Sequence, residues 1–193
     1  MVDIVIKRAE EESRKSISRV IAYAFQKDFK ALVNNMDKVA MAIESGIQIG
    51  RFFVAEQNGI IIGVIACTDC TGRAVIVNCA DYKKHFGFIR GLIATKILTE
   101  EFMAPLQYPS NIGYIEFVAV NENVRGNGIA KKMLQGVIEE TAYESYILDV
   151  TDINTYAIRC YQSFGFVEID KVPVKHAKQK GFNSKIYMQY DRK

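Results

Sequence analysis

The chain has 193 residues, and 49% of them are hydrophobic, which is enough to bury a sizeable core and excludes a disordered protein. The 25 Lys and Arg residues are nearly balanced by 22 Asp and Glu residues, so the net charge of +3 does not by itself indicate a nucleic-acid partner. The N-terminal residues contain no apolar signal segment, and the longest apolar run is far too short to span a bilayer. We therefore expect a soluble, cytoplasmic protein with no membrane partner.

The first third of the chain predicts one strand followed by two helices. Residues 4–9 (IVIKRA) alternate like a short strand, and residues 13–25 carry apolar side chains at the spacing of a helix face. A second helical pattern covers residues 32–43 and stops at Gly46. The segment RFFVAEQNGIIIGVIACTD then contains two β-rich runs separated by Asn58-Gly59, which predicts a hairpin of two antiparallel strands.

The cysteines do not form the pattern of a secreted disulfide framework; they are Cys67, Cys70, Cys79 and Cys160. Cys67 and Cys70 form a CxxC pair, but no second pair or nearby histidine completes a zinc site. The pair falls at a predicted strand end, and free cysteine behaves as a small buried hydrophobe. We predict structural thiols and no metal, with metal or redox use as the alternative.

Residues 82–103 predict a helix that carries apolar residues on one side, namely Ile89, Leu92, Ile93 and Ile97. Gly87 and Gly91 weaken this prediction. They also form a GxxxG pattern, but the charged residues throughout the segment exclude a membrane helix.

The second half of the chain alternates strands and helices. YIEFVAV (Tyr114–Val120) predicts a central strand, and residues 128–142 predict a regular helix whose apolar stripe must pack on a sheet. YILDV predicts a further strand, residues 154–164 a helix that ends at Gly165, and residues 166–174 with 185–190 the last two strands. No linker or repeat interrupts the chain, so we predict one continuous domain with a mixed α/β sheet.

The strand and helix in the middle of the chain flank a glycine-containing turn in the stretch VAVNENVRGNGIAKKML. A strand, a glycine turn and a helix N-terminus together form a cradle for an anion. The dinucleotide pattern GxGxxG fails because Lys131 stands where Gly or Ala is required, and the phosphate-loop pattern GxxxxGK[ST] has no match. Lys131 and Lys132 are unfavourable in a first helical turn unless a negative group lies nearby. The alternative is a solvated helix face, paired with Glu139 and Glu140.

Two motifs resemble the signatures of the GNAT superfamily of acyl-CoA-dependent N-acetyltransferases. The family's [Q/R]xxGx[G/A] motif falls on residues 123–128, where both glycine positions match and Asn123 departs from the usual Gln or Arg. The family's second pattern, NxxAxxxY followed by GF, matches Asn154, Ala157, Tyr161, Gly165 and Phe166. The resemblance covers nearly the whole chain. It implies a single N-acetyltransferase domain over residues 1–193 with a mixed, mostly antiparallel sheet flanked by helices.

The resemblance implies that acetyl-CoA is the co-substrate and that its pyrophosphate lies on the backbone N–H groups of the glycine turn. Backbone N–H groups of the central strand would hold the oxyanion where that strand separates from its neighbour. Asn154 would contact the pantetheine arm. The binding residues so implied are Val118, Ala119, Val120, Arg125, Gly126, Asn127, Gly128, Ile129, Ala130, Lys131 and Asn154.

Transfer to an amine requires removal of a proton from the acceptor and an acid for the thiolate. The resemblance points to Tyr161 as the acid, with a packing tyrosine as the alternative. Glu116 is the first candidate for the base, because alternation places it opposite Ile115 and Phe117 on the strand. Asp149 is the rival, because an acid inside a buried strand is unusual without a role. Either could act through a water chain or serve only as a structural carboxylate.

The acceptor is an unidentified small-molecule or peptide amine. On family analogy its pocket is built from residues 11–45, 78–112 and the lysine-rich segment 175–185, which otherwise predicts a solvated loop. His85 and His176 have no partner pattern. Two other functions remain open, a GNAT-like domain that binds acyl-CoA without transferring it and a basic nucleic-acid or regulatory binding protein. Family analogy also allows a homodimer through the final strands.

Overall fold

The chain forms one seven-stranded sheet, seen in a computed structural model that describes residues 3–175 and 177–192, without the side chains of Lys178 and Gln179. The strands are β1 (Val5–Arg8), β2 (Phe52–Gln57), β3 (Ile60–Thr68), β4 (Ile112–Val120), β5 (Ser145–Thr151), β6 (Val167–Pro173) and β7 (Ser184–Asp191). Their order in the sheet is β1-β2-β3-β4-β5-β7-β6. Among the strands of the described residues, β4 and β5 alone pair in parallel, so the mixed, mostly antiparallel sheet is confirmed.

Eight α-helices flank the sheet in the described residues. They are α1 (Arg14–Ala24), α2 (Gln26–Phe29), α3 (Met36–Glu44), α4 (Cys79–Phe86), α5 (Phe88–Phe102), α6 (Ile129–Glu140), α7 (Thr155–Phe164) and α8 (Ala177–Lys180). Asparagine side chains fix several helix starts: Asn35 accepts a hydrogen bond from the N–H of Lys38, and Asn78 from that of Ala80.

The sheet separates two hydrophobic cores, one on each face. Helices α1, α3, α4 and α5 cover one side, called the front face here, and α6 and α7 cover the other, called the back face. Successive residues of β2 alternate between the two cores, with Phe52 and Val54 in front and Phe53 and Ala55 behind. A strand buried on both sides explains why β2 and β3 carry near-continuous apolar runs instead of a clean alternation.

The predicted hairpin joins β2 and β3 at Asn58-Gly59, with both residues at positive φ, 52° and 76°. A two-residue turn of this kind matches the twist of the flanking strands, and Asn and Gly tolerate the left-handed conformation best.

The predicted helix over residues 82–103 is two helices, because Gly87 adopts a φ of 85° between α4 and α5. Gly91 is buried where α5 meets α4: a Cβ at this position would lie 2.5 Å from the Cα of Lys83. The two glycines therefore serve a turn and a close helix contact. The apolar side of α5 does not face the core; it is exposed, and the buried residues are Gly91, Ala94 and Leu98.

No helix in the described part of the chain combines the length and the hydropathy that crossing a membrane requires.

Candidate active site

The two parallel strands separate in the middle of the sheet. β4 and β5 pair from Ile112 with Ser145 to Ile115 with Leu148, and no further. Beyond that point β4 continues beside β3, and β5 continues beside β7. A cleft therefore opens between residues 116–120 and 149–151, where the chain offers backbone groups that no neighbouring strand has taken up.

A β-bulge lies at the start of this cleft. Ala66 pairs with Glu116 and Val64 with Ala119, so Phe117 and Val118 together face one residue of β3. Phe117 has a φ of 52°, which is uncommon for a bulky residue and marks local strain. The bulge turns Phe117 to the front face, where its ring lies 6.1 Å from that of Phe25. The predicted alternation was therefore wrong for Phe117, which shares a face with Glu116.

The glycine turn connects β4 to α6 as predicted. Gly126 and Gly128 have φ values of 83° and 73°, and a Cβ built at either position would meet no atom within 4 Å. Gly128 is the N-cap of α6 and supplies no side-chain cap, so the first N–H groups of the helix receive no hydrogen bond from the N-cap side chain. Close approach to the backbone and the helix dipole both favour an anion at this position.

The basic side chains around the turn have partners within the protein. The guanidinium of Arg125 donates from Nε to the carbonyl of Val120 at 3.0 Å. Lys131 reaches the carbonyl of Ser163 at 3.4 Å, near the C-terminal end of α7. That end of a helix carries partial negative charge, so it supplies a negative group for Lys131. The alternative pairing with Glu139 and Glu140 does not occur for Lys131.

Helix α7 lies beside the cradle on the back face. Asn154 caps it, since its side-chain oxygen accepts a hydrogen bond from the N–H of Ala157 at 3.3 Å. A contact from Asn154 to a ligand would therefore come from its NH₂ group. Tyr161 lies two turns further along and is only 7% exposed, with its ring 6.0 Å from that of Phe166. Burial, together with the nearby Cys160 and Asp149, raises the pKa of Tyr161, which keeps the phenol protonated.

Glu116 lies on the front face in a buried ion pair. Its carboxylate accepts two hydrogen bonds from Arg73, from Nε at 3.0 Å and Nη2 at 2.9 Å. The hydroxyl of Thr68 adds a third bond at 2.6 Å. Desolvation opposes the charge of Arg73, but Glu116 outweighs it and the pKa of Arg73 is raised. Arg73 and Thr68 thus hold both oxygens of the Glu116 carboxylate in place.

Asp149 lies on the same face, across the cleft from Glu116. The hydroxyl of Tyr114 donates to one of its oxygens, and the ammonium of Lys185 lies 3.1 Å from the other. Lys185 also bonds Glu101 at 2.5 Å. Partial burial opposes the charge of Lys185, but Asp149 and Glu101 outweigh it and raise its pKa. The prediction of a solvated loop through residue 185 was therefore wrong for Lys185, which is the second residue of β7 and forms ion pairs; His176 lies outside the described residues.

The predicted residues fall into two groups separated by the sheet. The cradle, Asn154 and Tyr161 lie at the back, and Glu116 and Asp149 lie in front, so that only the cleft joins them. Sequence reasoning missed Arg73, Tyr114 and Lys185. Tyr114 precedes Glu116 by two positions and could have been placed on its face by strand alternation. Arg73 lies in an irregular loop, and no local sequence pattern predicts its contact with β4.

Front-face tyrosines surround Asp149. Tyr108, from the segment before β4, stacks on Tyr114 with ring centroids 5.8 Å apart. Tyr187 is the antiparallel neighbour of Asp149 on β7. Burial and then the charge of Asp149 raise the pKa of both Tyr114 and Tyr187. The front of the cleft is thus lined by neutral phenols around a carboxylate.

A parallel pair of strands thus separates beside a glycine turn and a helix N-terminus, so that a cleft and an anion cradle lie next to each other in the sheet. The sequence pattern of the Acetyltransferase (GNAT) family matches residues 37–166, about two thirds of the chain. The chain belongs to this family, as its motifs indicated.

Solved structures show the same fold over almost the full chain. An acetyltransferase crystal structure is 21% identical, with a TM-score of 0.61 and coverage of 98% of this chain and 100% of the other. The yncA protein from Salmonella typhimurium, in a structure with its cofactor acetyl-CoA, is 16% identical, with a TM-score of 0.61 and coverage of 97% and 93%. A chain of the NatC complex bound to Gag peptide and CoA is 17% identical, with a TM-score of 0.59 and coverage of 99% of both chains. Among curated proteins, no sequence matches this chain significantly.

Proposed function

We propose that the protein transfers an acetyl group from acetyl-CoA to a primary amine by direct attack in a ternary complex. The observation that carries the proposal is the open cradle at Gly126–Gly128, next to the cleft between β4 and β5. It provides one place for the anionic end of the co-substrate and another for the acceptor. The yncA structure with acetyl-CoA supports the choice of donor, although the likeness itself extends only to the fold.

The residues of the back face would bind acetyl-CoA and protonate its departing sulfur. The N–H groups from Arg125 to Lys131 would hold the pyrophosphate, and the NH₂ group of Asn154 would donate to the pantetheine arm. N–H groups of Val118–Val120 would stabilise the oxyanion where β4 leaves β5. The phenol of Tyr161 would donate its proton to the departing sulfur.

The residues of the front face would receive the amine and its proton. Of the two candidate bases, Asp149 is better placed, because its side chain is 23% exposed whereas that of Glu116 is 5% exposed. Both carboxylates are held by partners, Glu116 by Arg73 and Asp149 by Tyr114 and Lys185, so the greater exposure of Asp149 decides between them. We therefore assign proton removal to Asp149, directly or through water, and a structural task to Glu116.

A melting experiment with acetyl-CoA tests the proposal. At a concentration of about 100 times Kd, binding adds roughly 2.7 kcal/mol and should raise the melting temperature by about 5–10 °C. Gly128→Glu should abolish this shift, because the new side chain puts a negative charge into the cradle. Gly59→Glu is the matched control: Gly59 has a φ of 76° and open space around its Cβ position, but lies in the hairpin turn.

Release of free thiol in the presence of amines then separates an enzyme from a domain that only binds acyl-CoA. The panel should contain amino acids, polyamines, aminoglycosides and peptide N-termini. Thermal stabilisation with no thiol release from any of them would identify a sensor. Absence of stabilisation in folded protein would reject the cradle itself.

A further inference from the structure

Three partly buried phenylalanine rings meet at the front of the cleft. Phe117 lies two positions beyond the last residue of β4 that pairs with β5. Its ring is 6.1 Å from that of Phe25 and 5.3 Å from that of Phe102. Phe25 follows α1 and Phe102 ends α5, so three separate elements supply the rings. All three pack against the front core but keep part of their surface exposed. They are called the phenylalanine wall here.

The backbone holds Phe117 in this wall in an unfavourable conformation. Its φ of 52° lies in the left-handed region, and the bulge in β4 turns the ring to the front face, where regular alternation would not have placed it. The fully buried ring of Phe52 supports it from the core at 6.1 Å. Strained residues of this kind concentrate at ligand sites, which favours a role for the Phe117 ring in binding.

The phenylalanine wall adjoins the carboxylate that we propose as the base. Glu101 precedes Phe102 on α5, and its carboxylate bonds the ammonium of Lys185 at 2.5 Å. The same ammonium lies 3.1 Å from Asp149, so the two carboxylates carry one negative charge more than Lys185 offsets. Two further pairs of opposite charge lie nearby and add no net charge, Arg73 with Glu116 and Lys27 with Asp28. An ammonium group therefore fits beside Asp149, with an apolar surface next to it.

We propose that the acceptor carries an aromatic or similarly bulky apolar group a short chain away from its primary amine, and that this group binds against the phenylalanine wall. The inference rests on the proposed transfer reaction, whose acceptor it specifies. The amine lies beside Asp149, where the surrounding tyrosine rings also favour a cation. The apolar group contacts Phe102 and Phe117, since aromatic rings pack well on the edges and faces of other rings. Arylalkylamines have this chemistry, and so does the N-terminus of a peptide whose first residue is aromatic.

Thiol-release kinetics with matched amines test the proposal. We expect kcat/KM for phenethylamine to exceed that for ethylamine about tenfold or more, because even one methylene group in a hydrophobic pocket is worth about tenfold. A tetrapeptide that begins with Phe and one that begins with Ser form the second pair, which tells whether the acceptor is a small amine or a peptide. Equal values within both pairs would overturn the proposal, and so would a preference for ethylamine or spermidine over phenethylamine.

Variants of the phenylalanine wall test its part in this preference. Phe102→Ala should lower the ratio of the two kcat/KM values, phenethylamine over ethylamine, about tenfold. A loss of stability alone would affect both amines alike and leave the ratio unchanged. The matched control is Phe88→Ala, because Phe88 lies on the same helix and is 68% exposed. Phe25→Ala repeats the test from another element, and circular dichroism verifies that each variant is folded. A wild-type ratio in both wall variants would overturn the assignment.

Binding without turnover separates this inference from the proposed function. Calorimetric titration of phenethylamine into the complex with CoA, which has no acetyl group to transfer, measures binding alone. Binding that Phe102→Ala weakens, with no thiol release from acetyl-CoA, would support the wall and reject the transfer reaction. Thiol release without a preference for the aromatic amine would do the opposite. Absence of both binding and thiol release would reject both.

Discussion

Tyr161 belongs both to a sequence motif and to the hydrophobic core of the back face. It is almost fully buried on the back face, with its ring 6.0 Å from that of Phe166, and burial raises the pKa of its phenol. The ring packs in the core, whereas the proposed proton donation uses the hydroxyl group. A variant that removes only the oxygen separates the two roles.

Tyr161→Phe keeps the ring and removes the proton donor. General acid catalysis contributes about 10²–10⁴-fold, so we expect kcat to fall roughly 10²-fold while the acetyl-CoA melting shift is retained. Thiol-release kinetics measure the first quantity. Tyr156→Phe is the control, because Tyr156 is on the same helix and 86% exposed. Full activity in Tyr161→Phe would make Tyr161 a packing residue.

Replacement of Glu116 should mainly reduce stability, whereas replacement of Asp149 should mainly reduce activity. Glu116→Gln leaves the guanidinium of Arg73 buried without its partner, and breaking a buried pair costs about 3–5 kcal/mol. Asp149→Asn should instead lower kcat about 10²-fold and change the pH–rate profile, with less effect on stability. Thermal unfolding and pH–rate profiles of both variants give the comparison. An unchanged profile in Asp149→Asn, with loss of the ascending limb in Glu116→Gln, would reverse the assignment.

At the scale of elements, helix α5 is placed by the absence of a side chain. Gly91 brings α5 so close to α4 that a Cβ would lie within 2.7 Å of backbone atoms of Lys83 and Tyr82. Backbone atoms cannot change rotamer as side chains do, so the two helices would have to move apart to make room for a Cβ. Ala94 and Leu98 are buried on the same side of α5 as Gly91, and the larger apolar side chains of this helix are exposed.

Gly91→Ala should therefore destabilise the protein, although alanine is the better helix former. Overpacking typically costs about 1–3 kcal/mol, or several degrees in melting temperature. Gly50→Ala is the control, because a Cβ at that position meets no atom within 4 Å. Thermal unfolding measures both, and equal melting temperatures would show that α4 and α5 can separate without loss.

At the scale of the whole molecule, Asp69 joins distant parts of the chain. Its carboxylate accepts bonds from Thr71 in the same turn, from Arg51 at the start of β2, and from the hydroxyl of Tyr143 in the loop before β5. Partial desolvation opposes ionisation, but these bonds outweigh it and lower the pKa of Asp69 to about 2. The tie thus links the base of the β2–β3 hairpin to the loop before β5, which no strand pairing connects to it directly.

The lowered pKa of Asp69 predicts that the free energy of unfolding depends on pH in the acid range. Because the folded pKa of about 2 lies below the usual value of 3.8, the carboxylate stabilises the fold fully above pH 3.8 and loses this contribution as the pH falls towards 2. The contribution is of the order of 1 kcal/mol after solvent screening. Asp69→Asn should flatten the pH dependence of the unfolding free energy in this window, whereas the exposed Asp3→Asn should not. Parallel curves for wild type and Asp69→Asn would contradict the assignment.

Much of the architecture was predictable because it is set locally. The hairpin follows from Asn58-Gly59, which tolerate positive φ, and the stripe of α6 follows from its regular apolar spacing. Alternation failed at Phe117, because a bulge in β4 shifts the side-chain period, and a bulge depends on the register with β3. Periodicity also identified the apolar side of α5 but could not tell that it faces outward.

The sequence by itself determined the cradle and its neighbour on α7, because each consists of residues close together in the chain: the glycines of the turn, and Asn154 with Tyr161 two helical turns later. Tertiary structure alone decided the environment of the front-face carboxylates. Arg73 meets Glu116 across 43 positions, and Tyr114 meets Asp149 across 35. Such contacts depend on the order and register of the strands, which set which side chains share a face, and no short pattern encodes them.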